Sequence, residues 1–393
     1  MDIVAIQKIE KLLACQDFTS ALQAALSGLQ QNSSCTVHFI LMLRALNKIG
    51  LNTSDLEITS AVKKAAENFI QARVDKGLEN FTVWSLASMA HSKIMDLEHK
   101  HAEHRPLIDF LKKKTTLPNK KTKIIMLTCI WQRHDLTRIF FNYYKELKQQ
   151  LSSNLDLQII AVGSEGEISK TLCEQGDAIY IEHPNEPLTA KWQAGISALE
   201  SYDFDALVIM GSDDFISKDV FDIYLEKIKN NSLFFGFQDL YIYDTKQKNL
   251  IYWYGYGVTG DKKSQPQRIG ESIGLGRMLH RDLLEYLDFD LWKGFHANKS
   301  LDNMMKKRVI QKTAFLPVKE EDAPRLTFDN KSYSLGLILS SFKETSSLGV
   351  DVKHTINVTS LDSYCFSKEN YIPVDVKTSH FTDLFNRIKL LDT

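Results

Sequence analysis

Four short apolar runs, each followed by a helical stretch, constrain the fold of this chain more than any other feature. They lie at residues 124–129, 157–162, 178–181 and 206–210. None alternates apolar with polar residues, so each predicts a strand covered on both faces. Between them, apolar residues recur at helical spacing: Leu136, Ile139, Phe140 and Tyr143 first, then residues 169–175 and 188–201. Repeated β-α order predicts a parallel sheet with helices on both faces. Ligands of such sheets bind beyond the carboxyl ends of the strands, so chemistry is sought just after each run.

The first 115 residues read differently. Ile6, Ile9, Leu12 and Leu13 share a helical face, as do Phe18, Leu22, Ala25 and Leu29. Phe39, Leu41, Leu43 and Leu46 mark a third helix. Ile58, Val62, Ala66 and Ile70 mark a fourth, with Asp55 as its cap. Phe81, Trp84, Met89 and Ile94 mark a fifth. Short connections between such helices predict an antiparallel bundle or repeat-like stack. The polar cluster Glu98, His99, Lys100, His101, Glu103 and His104 reads as a solvated helix end rather than a metal site. Lysines 112, 113, 114, 120, 121 and 123 surround Pro118. They read as a solvated hinge, with contact to anionic lipid headgroups as the alternative. The expected organisation is a helical domain at 1–115, a linker at 116–122, an α/β domain at 123–330 and a C-terminal extension at 331–393. In the extension, 337–339 fits helix or strand, 350–358 an edge strand and 383–391 a helix; no chemistry is assigned there.

Apolar residues make up 44% of the 393, enough for large cores, and the net charge of −1 gives no basic face for nucleic acid. Five scattered cysteines have neither metal-site spacing nor the pattern of a disulfide framework, which points to a reducing compartment. The start, Met1-Asp2-Ile3-Val4, lacks a signal peptide, and no apolar run reaches membrane-span length. The expectation is a cytoplasmic protein, with any membrane contact peripheral at the inner face.

Of the four strand ends, Gly211-Ser212-Asp213-Asp214 is the most informative. Adjacent carboxylates repel unless a cation joins them. Oxygen ligation suits Mg²⁺ or Mn²⁺, which would neutralise a departing diphosphate. The alternative is a turn with Asp214 or Ser217 capping the next helix.

With these elements in order, the chain resembles GT-A glycosyltransferases, especially the inverting family-two group. The resemblance rests on the first strand with its Thr128 to Arg133 loop, on Asn185-x-x-Leu188-x-x-Lys191-Trp192-Gln193-Ala194-Gly195, and on Asp213–Asp214. It covers residues 121–310. It implies a nucleotide-diphospho-sugar transferase-like mixed sheet flanked by helices, beside an all-α N-terminal domain. It also implies a nucleoside diphosphate sugar donor, Mn²⁺ or Mg²⁺, and a glycan, lipid-linked saccharide or protein acceptor. Asp213 takes the metal-binding place, with Asp214. Thr128, Arg133 and Glu165 line the nucleotide site, and Lys191 approaches it. The chain departs from the family at Gly211, where an aspartate is usual, and near Glu165, where an acidic pair is usual.

Downstream, 233–237 and 240–243 read as strands, and 249–257 as the partner of the latter in a hairpin. Trp253, Tyr254 and Tyr256 are either strand faces or sugar-stacking platforms. Arg277, after Gly274-x-Gly276, holds a phosphate or carboxylate, or else a structural ion pair. An inverting transferase needs a carboxylate to take the acceptor proton. Asp302, at a helix start, fits that place in the family; Asp288 and Asp290 are alternates. His296 is a third metal ligand, an acceptor contact or a structural histidine. Two rivals remain: a nucleotidyltransferase, and a non-catalytic adaptor built from a helical interaction domain and a degenerate transferase fold.

Overall fold

A computed structural model describes residues 3–49, 56–76, 86, 89, 105–114, 121–151, 153–255, 271–328, 331–353 and 371–387. The expected helix around Phe81 and Trp84, the polar cluster at 98–104, Pro118, Tyr256, residues 354–358 and the last turn of the C-terminal helix lie outside those residues, wholly or in large part.

The helices are α1 (Ile3–Ala14), α2 (Phe18–Gln31), α3 (Thr36–Lys48), α4 (Leu56–Val74), α5 (Arg105–Lys112), α6 (His134–Leu151), α7 (Glu167–Gln175), α8 (Leu188–Ala198), α9 (Lys218–Lys229), α10 (Arg281–Tyr286), α11 (Leu301–Thr313) and α12 (Ser379–Arg387). The strands are β1 (Thr122–Cys129), β2 (Leu155–Gly163), β3 (Ala178–Glu182), β4 (Ala206–Ile209), β5 (Asp214–Ile216), β6 (Phe234–Phe237), β7 (Leu240–Asp244), β8 (Asn249–Trp253), β9 (Arg277–His280), β10 (Pro317–Lys319), β11 (Arg325–Phe328), β12 (Lys331–Ser334), β13 (Leu337–Ser340), β14 (Gly349–Lys353) and β15 (Tyr371–Val374).

The chain divides into two compact units that interleave along the sequence. One comprises Met1–Pro106, Glu186–Gln193 and Leu291–Ala314; the other comprises Leu107–Asn185, Ala194–Asp290 and Phe315–Thr393. In the first, the helical faces read from the sequence form the core: Ile9, Leu22, Ala25, Leu29, Phe39, Leu43, Leu46, Val62, Ala66 and Ile70 are all buried. Phe39 and Phe69 stack at 4.0 Å between ring centroids. Asp17 caps α2 by accepting from the Ser20 N–H at 3.2 Å, a contact worth about 1 kcal/mol.

The second unit is α/β, as expected: a large mixed sheet flanked by helices. Among the described residues its strand order is β10-β13-β6-β9-β4-β1-β2-β3. β3, β2, β1 and β4 run parallel, and β9 alone runs against its neighbours β4 and β6. The apolar runs are buried as their lack of alternation requires; Ile124 to Leu127 and Ala206 to Ile209 are at most 5% exposed.

A second sheet has the order β15-β8-β7-β14-β5. The β7–β8 hairpin forms as expected. Two expectations are corrected. β14 is an interior strand, paired with β5 on one side and β7 on the other. Its unbroken burial reflects those two neighbours. Residues 337–339, ambiguous between helix and strand, form β13 and pair parallel to β6.

Candidate functional site at the carboxyl edge of the sheet

The loops after β1, β2 and β4 converge, as the parallel sheet demands. The turn after β1 places Gln132 and Arg133 in the left-handed region, with φ of 51° and 45°. Two consecutive non-glycine residues there need outside support. The Gln132 N–H donates to Glu165 Oε2 at 2.7 Å, across to the β2 loop. His134 Nε2 lies 3.1 Å from both Glu165 oxygens. Arg133 donates through Nη1 to Asp213 Oδ2 at 2.7 Å and through Nη2 to Ser212 Oγ at 3.0 Å. One guanidinium thus ties the β1 turn to the β4 turn.

Asp213 lies in a tight turn and Asp214 opens β5, so the helix-cap alternative for Asp214 is set aside. The following helix α9 begins at Lys218 with Ser217 as its cap residue. Two buried tyrosines of α6 brace β5. Tyr144 Oη donates to the Asp214 carbonyl at 3.1 Å and accepts from the Ile216 N–H at 3.0 Å. Tyr143 Oη donates to the Ile216 carbonyl at 2.7 Å. Burial pushes both phenols above their ordinary range, so they stay neutral donors.

The glycine at position 211 has a structural reason. Its N–H donates to Asp214 Oδ2 at 2.8 Å. A Cβ at this position would meet Asp213 Oδ1 and Asp214 Oδ2, each at 2.7 Å. The inward carboxylates therefore occupy the space a side chain would need.

Sequence reasoning missed two members of this corner, Asp351 and Lys353 on β14. Asp351 is the register partner of Asp214, and the Val352 N–H donates to the Asp213 carbonyl at 2.8 Å. Lys353 Nζ is 2.5 Å from Asp351 Oδ2. The alternation Val350-Asp351-Val352-Lys353 was visible, but only the pairing with β5 reveals where its charges go.

The three carboxyls respond differently. Burial raises Asp213, but Arg133 and Lys353 overcome it and hold the carboxyl below its ordinary range. Asp214 is pushed well above that range by burial, then by Asp351 and Asp213. Asp351 is also raised, by burial first, with Asp213 adding to it and Lys353 opposing. Two buried carboxyls and a half-buried one thus share two cationic neighbours, an arrangement that favours added positive charge.

The donor set fits Mg²⁺ or Mn²⁺, which bind hard oxygens and take remaining ligands from water and phosphate. Among the described residues, however, no group of three or more His, Cys, Asp or Glu side chains is arranged to hold a metal ion. The expected trio of Asp213, Asp214 and His296 is therefore corrected. Asp213 is engaged by Arg133, and burial lowers the pKa of His296.

Buried polar atoms without hydrogen-bond partners also gather at this edge. They include Thr128 Oγ1 in β1, Ser164 Oγ just after β2, and Asp351 Oδ1. Each such atom costs about 1–3 kcal/mol if left unsatisfied. Thr128 thus keeps a free hydroxyl where the sequence placed a ligand contact.

Two other expected contacts are re-read. Arg277 is 1% exposed. Its guanidinium donates to the carbonyls of Ser272 and Ile273 at 3.0 and 2.8 Å, and its Nε donates to Ser272 Oγ at 2.9 Å. It braces the residues before β9 and presents no open charge for a phosphate. Trp253 is 4% exposed within β8, flanked by β7 and β15, so it offers no open face for sugar stacking.

In the first unit, residues 186–193 of the Asn185 to Gly195 motif and the 291–303 stretch are fastened together. The Leu188 N–H donates to Asn298 Oδ1 at 2.7 Å, and Thr189 Oγ1 donates to the Phe295 carbonyl at 2.7 Å. Gln193 Oε1 accepts from the Leu291 and Trp292 N–H groups at 3.1 and 2.8 Å. Lys191, on the same helix, is 1% exposed. Asp302 lies in the first turn of α11, just after Ser300 with φ of 60°. Asp290 is half-buried before this stretch, and Asp288 is exposed.

No protein-family model matches the chain, and no curated protein matches it. Solved structures give loose overlaps. A cytidylyltransferase from Leptospira borgpetersenii is 13% identical over 43% of this chain and 64% of its own, with a TM-score of 0.26. A 4-diphosphocytidyl-2C-methyl-D-erythritol synthase from Anaerococcus prevotii is 13% identical over 73% of this chain and 99% of its own, with a TM-score of 0.32. Core-mannan synthase A from Aspergillus fumigatus, in a Mn/GDP form, is 9% identical over 55% and 70%, with a TM-score of 0.26. Overlaps this loose bear on neither activity nor substrate.

Proposed function

We propose that the chain is a metal-dependent, inverting glycosyltransferase. It moves a sugar from a nucleoside diphosphate donor to an acceptor hydroxyl on a glycan, lipid-linked saccharide or protein. The observation that carries this reading is the acidic corner at the end of β4. There Asp213 and Asp214 lie beyond the carboxyl end of β4, which runs parallel to β1, and Arg133 ties Asp213 to the turn after β1. That edge is where such sheets bind nucleotides.

Each residue then has a task. Glu165 and Arg133 set the shape of the nucleotide edge, and Thr128 offers its hydroxyl there. The acidic corner would hold Mn²⁺ or Mg²⁺, which would supply positive charge for the departing diphosphate. Asp302 takes the proton of the acceptor hydroxyl, as an inverting displacement requires. Lys191 approaches the nucleotide site from the Asn185 to Gly195 helix.

The test is thermal-shift binding of UDP, GDP and CMP sugars with and without Mn²⁺. A nucleotide that raises the melting temperature only with Mn²⁺ supports the reading; no shift with any of them overturns it. Release of a nucleoside diphosphate, rather than of pyrophosphate, separates glycosyl from nucleotidyl transfer. Asp302→Ala is expected to keep donor binding and lose turnover; loss of binding would reassign the base.

A further inference from the structure

The departure at Gly211 leaves the corner one acid short of the family pattern, and β14 brings a different acid to the same place. Asp351 faces Asp214 across the β5–β14 pair, and register partners project to the same side of a sheet. It is 8% exposed, and its Oδ1 is buried with no hydrogen-bond partner. Its other oxygen is met by Lys353 at 2.5 Å. Asp213, by contrast, is engaged by Arg133 at 2.7 Å.

We propose that Asp351 is a ligand of the divalent cation, holding it together with Asp214 from the opposite strand and supplying the carboxylate that Gly211 lacks. For its second partner, a nucleoside diphosphate, the inference rests on the transferase reading above. Lys353 is the resident countercharge. It neutralises Asp351 while the cation is away and competes with the cation for the same carboxylate. Asp213 serves the corner by holding Arg133 at the β1 turn. The segment beyond residue 330, which no sequence motif assigned to the site, is thereby part of it.

Lysine as competitor gives the proposal opposite-signed consequences. Removing Asp351 removes a ligand, whereas removing Lys353 removes the competitor. A merely structural Asp351–Lys353 ion pair predicts that both substitutions weaken the corner alike.

The experiment is Mn²⁺ binding to the full chain without nucleotide, followed by electron paramagnetic resonance of the free ion. Asp351→Asn is expected to lower Mn²⁺ affinity by about tenfold or more, as loss of an inner ligand should at least match loss of an outer one. Lys353→Met is expected to raise it several-fold. Melting in chelator checks folding, and Asp351→Asn alone decides if Lys353→Met does not fold. Mn²⁺ binding by Asp351→Asn equal to that of the unaltered protein overturns the proposal, as does absence of Mn²⁺ binding by the unaltered protein. Mn²⁺ binding that Asp351→Asn destroys, in a protein that no nucleotide sugar stabilises, upholds the cation site and overturns the transferase reading instead.

Discussion

Asp239 and Asp351 are both buried carboxyls in the second unit, yet they are seated in opposite ways. Asp239 accepts from Tyr252 Oη at 2.6 Å, from the Phe342 N–H at 2.7 Å and from Ser341 Oγ. Burial raises its pKa against those hydrogen bonds, with Glu344 adding to the shift. Asp351 has one cationic partner, one unpartnered oxygen and two further carboxyls for company. Neutral donors, fully engaged, are what a structural carboxylate needs. A carboxylate left half-satisfied beside others of its charge is organised for something that arrives later.

The largest effect expected from this contrast is on stability at Asp239. Asp239→Ala removes the acceptor of Tyr252 Oη, Ser341 Oγ and the Phe342 N–H in the interior and is expected to destabilise the fold by about 2–4 kcal/mol. Urea denaturation measures it. The folded fraction should bind Mn²⁺ as the unaltered protein does. A change below about 0.5 kcal/mol, within the range of ordinary surface substitutions, would break the contrast at its structural end.

Next comes Gly211. A Cβ there meets two carboxylate oxygens at 2.7 Å. Gly211→Ala is therefore expected to cost about 1–3 kcal/mol, as overpacking of a tight site does. Gly211→Asp should cost more because it adds a further acid to the corner. If Gly211→Asp is instead well tolerated and tightens Mn²⁺ binding, Asp351 is not the replacement acid.

How legible these places were in the sequence follows from the range of the interactions that make them. The apolar runs at 124–129 and 206–210 and the helical faces of α1 to α4 depend on local pattern, and they appear where the pattern put them. The acidic pair was visible because its two members are adjacent. Asp351 was not, because its meaning comes from a pairing with Asp214 across 137 residues of chain. Arg277 and Trp253 misled for a related reason. Both residue types contact ligands when open, and burial against distant neighbours closes them. The glycine at 211 was visible as a departure from the resembling pattern, but its steric cause is seen only in the geometry.

A smaller effect sharpens the other end of the contrast. Asp214→Asn keeps an oxygen for the Gly211 N–H and removes one of the three crowded acids. Stability in chelator is expected to stay within about 1 kcal/mol of the unaltered protein, or to rise, because like-charge repulsion falls. Mn²⁺ binding is expected to be lost. Denaturation and Mn²⁺ titration on the same sample separate the two. Loss of stability comparable with Asp239→Ala would make Asp214 a structural acid after all.

The smallest effect concerns a group that is seated by being neutral. His280 Nδ1 accepts from the Asp282 N–H at 3.1 Å and so caps α10. Burial lowers its pKa from 6.5, with Lys331 and Lys114 adding to the shift and Asp282 and Asp205 opposing it. The unfolded chain therefore binds a proton at a higher pH than the folded one does. The sign follows: this contribution is present above the unfolded value, falls as pH drops below about 6.5, and levels off under the folded value. Protonation also removes the acceptor that the cap requires. His280→Asn keeps a capping side chain without the titration. Urea midpoints at about pH 7.5 and about pH 5.5 should differ less for the variant than for the unaltered protein. Equal losses would mean that the histidine is protonated as readily when folded, and that neutrality does not seat it.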